Sequence, residues 1–162
     1  MTARDLLLES LRAAVGGDPW HGSSLDALLD GVTAAQAAAH PIPAAHSILE
    51  ITWHLAAWTQ EVAARLRGSE PHLPAIGDWP AAADDHAGTW RDARRALHAA
   101  HAEVLRMVSA LSDEQFAEPV GTVREATFGT GVSRARMLAG LLEHDAYHGG
   151  QIALLKRALG IG

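Results

Sequence analysis

The chain has 162 residues, enough for one domain with a buried core. Its 13 Lys plus Arg against 19 Asp plus Glu give a formal charge of −6 with no basic run, which argues against a nucleic-acid-binding surface. Cysteine is absent, so disulfides, thiolate metal ligands and a cysteine nucleophile are excluded together, and no window is apolar enough for a membrane span. Ala and Leu supply 53 residues and Ile plus Val only 14, a balance that favours helix because Ala and Leu lose little side-chain freedom there. The opening Met1-Thr2-Ala3-Arg4-Asp5 leads into an amphipathic stretch rather than a signal-peptide core, so a cytoplasmic location is expected.

Four segments repeat apolar residues at helical spacing. The first covers about Ala3 to Val15, with Leu7, Leu8, Leu11 and Val15 on one side and Gly16-Gly17 ending it. The second opens on Ser47-Ile48-Leu49-Glu50, which has the form of a capping box. It carries Ile48, Ile51, Leu55, Trp58, Val62 and Leu66 along one face and stops at Gly68. The third covers about Asp85 to Leu111, with Trp90, Leu97, Val104, Val108 and Leu111 on a stripe. The last covers about Ser133 to Leu159 and stops at Gly160. Four amphipathic helices in one short chain predict an all-α helical bundle, a single domain over residues 1–162.

The links are uneven. Residues 18–46 hold Asp18-Pro19-Trp20-His21-Gly22, a short helical piece at Leu25–Leu29, and an Ala-rich turn ending in His40-Pro41-Ile42-Pro43. Residues 69–84 contain Pro71, Pro74, Gly77 and Pro80 and cannot be regular helix. Residues 117–132 hold Pro119, Gly121, Gly129 and Gly131 around Thr122-Val123 and Thr127-Phe128, which can pair as a small hairpin. The long links after the first and second helices argue against a tight up-down-up-down series.

Ten histidines in so small a protein are the unusual feature. His144 and His148 are i and i+4 on the last helix, so they share a face and can ligate one ion through ring nitrogens at about 2.0–2.1 Å. The stripe through them, Met137, Leu141, His144, His148, Gln151, Leu155 and Ala158, is apolar above and below the pair, so this face is expected to point into the bundle. His54, on the stripe Ser47, Ile51, His54, Trp58, is inward-facing on the second helix and supplies a third ligand if those helices pack side by side. Three neutral imidazoles with an open position are the arrangement of a catalytic metal site rather than a structural one.

Supporting residues have two readings each. Glu50 either reaches the metal or completes the capping box. Gln151 either holds substrate or bonds a neighbouring helix. Trp58 either walls the cavity or packs in the core, and Tyr147 donates a proton at the rim or makes a helix contact. Asp145 can offer its carboxylate to a histidine or a water. His101, on the third helix's stripe, is the other candidate ligand or supporting partner, while the remaining histidines are explained by loops, caps and solvent. The rival motifs are missing: H-D-x-x-H replaces the zincin H-E-x-x-H, the paired E-x-x-H of di-iron bundles is absent, and so is a G-x-S-x-G elbow.

The run Leu142-Glu143-His144-Asp145-Ala146-Tyr147-His148-Gly149-Gly150-Gln151-Ile152 resembles the C-terminal signature of the DinB/YfiT-like superfamily, H-x-x-Y-H-x-G-Q-I. Ser47–Glu50 through His54-Leu55-Ala56-Ala57-Trp58 resembles that family's second helix, and Trp20-His21-Gly22, Pro41-Ile42-Pro43 and Asp78-Trp79-Pro80 are similar to segments of its members. Gly149 is a departure, standing where members often carry another residue. The resemblance implies a four-helix bundle of up-down-down-up topology, with His54, His144 and His148 as the triad for one divalent ion, commonly zinc, nickel or iron. It also implies thiol-dependent transferases or isomerases working through mycothiol or bacillithiol, and frequent homodimers.

The expected function is therefore a metal-dependent enzyme that transfers a small thiol or hydrolyses a small molecule, with zinc as the first expectation for the ion. Bound there, the ion would lower the pKa of a water or of a substrate thiol, and with no cysteine in the chain any thiol must arrive as substrate. Two alternatives stay open: a non-catalytic metal-binding stress protein, and a helical interaction module whose histidines are ordinary core residues.

Overall fold

The computed structural model describes residues 2–80, 86–121 and 131–161. Among these, the chain is all-helical: α1 (Ala3–Gly16), α2 (Leu25–Leu29), α3 (Ala34–Ala38), α4 (Ile48–Leu66), α5 (His86–Ala110), α6 (Asp113–Ala117) and α7 (Arg134–Ala158). The four long helices fall where the apolar periodicity placed them, and α2 coincides with the short piece expected at Leu25–Leu29. Two short helices differ from expectation. The Ala-rich turn contains α3, because Thr33 and Gln36 close a capping box around it. A similar box of Ser112 and Gln115 starts α6 in a stretch without helical periodicity. The hairpin expected around Thr122-Val123 and Thr127-Phe128 lies outside the described residues. Beside it, Pro119 and Ser133 form an isolated antiparallel bridge, supported by Val120 N–H donating to Val132 O at 2.8 Å.

Local chemistry explains the starts of the helices that build the site. The Ser47 hydroxyl accepts from Glu50 N–H at 3.2 Å, and the Glu50 carboxylate accepts from Ser47 N–H at 2.7 Å. Helix α7 begins at Ser133, whose hydroxyl accepts from Arg136 N–H at 3.2 Å.

The long helices contact one another in a ring, α1 with α5 and α7, and α4 with α5 and α7. Their apolar faces build two separate clusters. One gathers Ile48, Ile51, Leu55, Trp90, Leu97, Ile152 and Leu155 with α2 and α3. The other gathers Leu11, Val62, Leu66, Val104, Val108, Phe116, Leu138 and Leu141. Between them lie buried polar side chains: His54 on α4, His101 on α5, and Asp145 and His148 on α7.

The inward face of α7 is broader than the expected stripe and centred one residue along. Met137, Leu138, Leu141, Asp145, His148, Gly149, Ile152 and Leu155 are buried. His144 and Gln151 are only partly buried and Ala158 is exposed. Packing against α1, α2 and α4 together is the reason, since contacts on several sides cover more than one helical stripe. Gly149 lies where α2 docks: a Cβ there would stand 3.3 Å from Leu28 Cδ1. Its lack of a side chain lets α2 sit close to α7.

Ser47→Ala removes a hydroxyl that closes the box at the head of α4. It should lower unfolding free energy by about 1 kcal/mol in urea titration, without changing the m-value.

Candidate metal centre

Helices α4 and α7 pack side by side and bring His54, His144 and His148 together. Their ring centroids lie 5.0 Å apart for His54–His144, 4.7 Å for His54–His148 and 4.6 Å for His144–His148. One ligand nitrogen from each lies within 4.8 Å of the others. His54 Nε2 and His144 Nε2 are 3.0 Å apart, close to the roughly 3.3 Å that two imidazole nitrogens span across a tetrahedral ion.

The backs of two rings are tied down. His54 Nδ1–H donates to the carbonyl oxygen of Asp78 at 2.7 Å, and His148 Nδ1–H donates to Gln151 Oε1 at 2.7 Å. With the proton on Nδ1, each ring turns an Nε2 lone pair toward the centre. A carbonyl or amide oxygen behind a histidine is the usual support for a metal ligand. Burial favours the neutral form as well. Together with the neighbouring His148 and His54, it pushes the His144 imidazole down to about 4. Burial also lowers His54, against the pull of Asp78, and His148, against its bond to Gln151. Three converging imidazoles held toward the neutral form, two of them presenting Nε2 lone pairs to the centre, fit a divalent cation.

The other candidates fall into distinct places. Gln151 supports His148 directly. Trp58 stands edge-on to His54 at 6.5 Å, and its Nε1–H donates to Asp78 Oδ1 at 2.7 Å. Tyr147 is exposed, with its ring edge-on to His148 at 4.9 Å. Glu50 belongs to the capping box and pairs with His40 at 3.0 Å, so its ordinary structural reading is the one with geometry behind it. Asp145 faces a histidine outside the triad, with Oδ2 3.6 Å from His101 Nε2. On a helix, neighbouring residues point about 100° apart, so an inward Asp145 cannot share the direction of His144.

Two residues enter that spacing alone did not assign. Asp78 and Trp79 come from the Pro-rich segment after α4. The Trp79 ring stacks on His54 at 3.9 Å and 12°, and its other face stacks on His46 at 3.6 Å and 7°. The start of the segment is also fastened: Glu61 accepts from His72 N–H at 3.2 Å, and Arg65 donates to His72 O at 3.2 Å. Buried Glu61 and Arg65 pair with each other at 2.8 Å. The Asp78-Trp79-Pro80 likeness was the available signal, but it carried no direction in space.

Two clefts end on the histidines. One, of about 520 Å³, is lined by Trp58, Val62, Met137 and Leu141 and reaches His54 and His144. The other, of about 580 Å³, is lined by His46, Trp79, Tyr147 and Gln151 and reaches His148. Small molecules therefore have access to the ligand cluster.

Residues 20–152 match the family model of the DinB superfamily, and the chain belongs to that superfamily. No curated protein matches it.

Because burial holds all three imidazoles below the ordinary histidine range, with His144 down to about 4, acid competes late for the site. Divalent-ion affinity should stay level from pH 8 to about 6.5 and fall as the pH drops toward 4, followed by isothermal titration. Gln151→Ala, which frees the His148 ring, should weaken binding by about 10–100-fold.

Proposed function

We propose that this DinB-superfamily protein is a metal-dependent enzyme acting on small molecules by thiol S-transfer or hydrolysis, through one divalent ion held by His54, His144 and His148. The carrying observation is the convergence of three neutral imidazoles, two with their outer nitrogens fixed by Asp78 and Gln151. The two clefts favour an open, reactive site over a closed structural one. Zinc suits three imidazoles, and nickel or ferrous iron suits the same donors. When bound, such an ion supplies Lewis acidity, lowering the pKa of a water or a thiol brought to it.

The chain's own residues have separate tasks. Asp78 and Gln151 hold the tautomers, and Trp79 covers one face of His54 against water. The apolar walls of the first cleft receive the body of a substrate. Tyr147 offers an O–H at the second cleft. We also read the long helices as an up-down-down-up bundle. In support, α4 and α5 residues enter the two apolar clusters in the same chain order, whereas α7 residues enter them in the opposite order. The negative charge speaks against nucleic acid as partner, and no helix among the described residues is long and apolar enough to cross a membrane. A cytoplasmic homodimer completes this reading, with exposed Leu6 and Trp20 available for an apolar contact.

The tests are metal analysis and turnover. Tag-free protein should hold one divalent ion per chain, and His144→Ala should lower affinity by more than about 100-fold, beyond the range for a supporting residue. The metal-loaded protein should turn over within a panel pairing low-molecular-weight thiols with electrophiles or within a hydrolase panel, with loss on chelation. Metal bound at full occupancy without turnover in either panel would leave the non-catalytic metal-binding reading in its place.

A further inference from the structure

His101 on α5 and Asp145 on α7 are both almost fully buried, and neither has a use in the ligand cluster. His101 Nε2 and both Asp145 carboxylate oxygens lack hydrogen-bond partners, and His101 Nε2 lies 3.6 Å from Asp145 Oδ2. The buried threonine hydroxyls of α4 are taken, since Thr52 and Thr59 donate to Ile48 O and Leu55 O of their own helix at 2.7 Å. Polar atoms left this way are costly anywhere except opposite each other. Above and below the pair, α5 and α7 contribute only apolar side chains to the two clusters: Leu97 with Ile152 and Leu155 on one side, Val104 and Val108 with Leu138 and Leu141 on the other.

Those apolar stripes specify longitudinal register poorly. A slip of one turn exchanges one aliphatic contact for another, while moving the helix by about 5.4 Å. The same slip would bury Asp145 against aliphatic carbons and strand His101. It would also carry His144 and His148 past His54, whose ligand nitrogen now lies within 4.8 Å of theirs. We propose that His101 and Asp145 are positioning residues, a buried polar pin that sets the register of α7 against α5 and thereby holds the His144–His148 pair level with His54. A buried polar pair that selects one register among several apolar ones is the best-attested use of such groups. Because Asp145 is the residue next to His144, its inward direction also fixes the rotation that leaves His144 at the edge of a cleft. This inference rests on the proposed metal centre for its consequence, but the pin itself is independent of any ion.

The test uses the full chain, whose lack of cysteine allows clean labelling. Nitroxides at Arg106→Cys on α5 and Arg157→Cys on α7, both exposed, report the register of the metal-free protein by pulsed electron–electron spin resonance. Cobalt(II) titration, read from its visible absorption, reports the site. His101→Leu with Asp145→Leu should keep the helical signal and a melting temperature at or above that of the parent. It should broaden the distance distribution or move it by about one turn, ~5 Å, and weaken cobalt binding at least about ten-fold. The exchanged pair, His101→Asp with Asp145→His, and the amide pair, His101→Gln with Asp145→Asn, should restore the parent distance and bring cobalt affinity within about three-fold of it. A Leu/Leu protein with unchanged distance and affinity overturns the pin. If the Leu/Leu protein does not fold, loss of the parent distance in both polar pairs overturns it. A parent protein that binds no cobalt overturns the metal reading, while the metal-free distances still decide the pin.

Discussion

The centre depends on keeping three imidazoles neutral and pointing their lone pairs at one place. Water opposes this, because an exposed histidine is free to protonate and turn. Burial removes the first freedom by penalising the charged ring, and the bonds from His54 and His148 to Asp78 and Gln151 remove the second. The same arrangement that favours an ion makes the cluster poor at satisfying itself. Lone pairs facing lone pairs need a cation or a shared proton.

Much of the remaining structure can be understood as support for that convergence. The capping box at Ser47 starts α4 seven residues before His54, fixing where the helix begins. The segment after α4 turns back over the site, fastened at His72 by Glu61 and Arg65 and at Asp78 by His54 and Trp58. Trp79, held between His46 and His54, lines the cleft that ends on His148. A ring stacked on both faces has little room to swing, so this part of the cleft wall is rigid.

The core is divided at the same level. Two aliphatic clusters supply burial and the polar residues between them supply specificity, a division that matters because aliphatic contacts tolerate sliding while unpaired polar atoms do not. A site made from two helices cannot be more precise than their relative placement.

From the sequence alone, periodicity and capping determined the four long helices, and the i,i+4 spacing determined that His144 and His148 share a side of one of them, because these depend on contacts a few residues apart. The same local rules missed α3 and α6, each a single short helix started by a capping box without an apolar stripe. Only the tertiary structure decided that Asp145 rather than His144 points most deeply inward, that Asp78 and Trp79 belong to the site, and that His101 meets Asp145. Those outcomes depend on which faces three or more elements present to one another, and a loop rich in proline has no period from which its path over a neighbouring helix can be read.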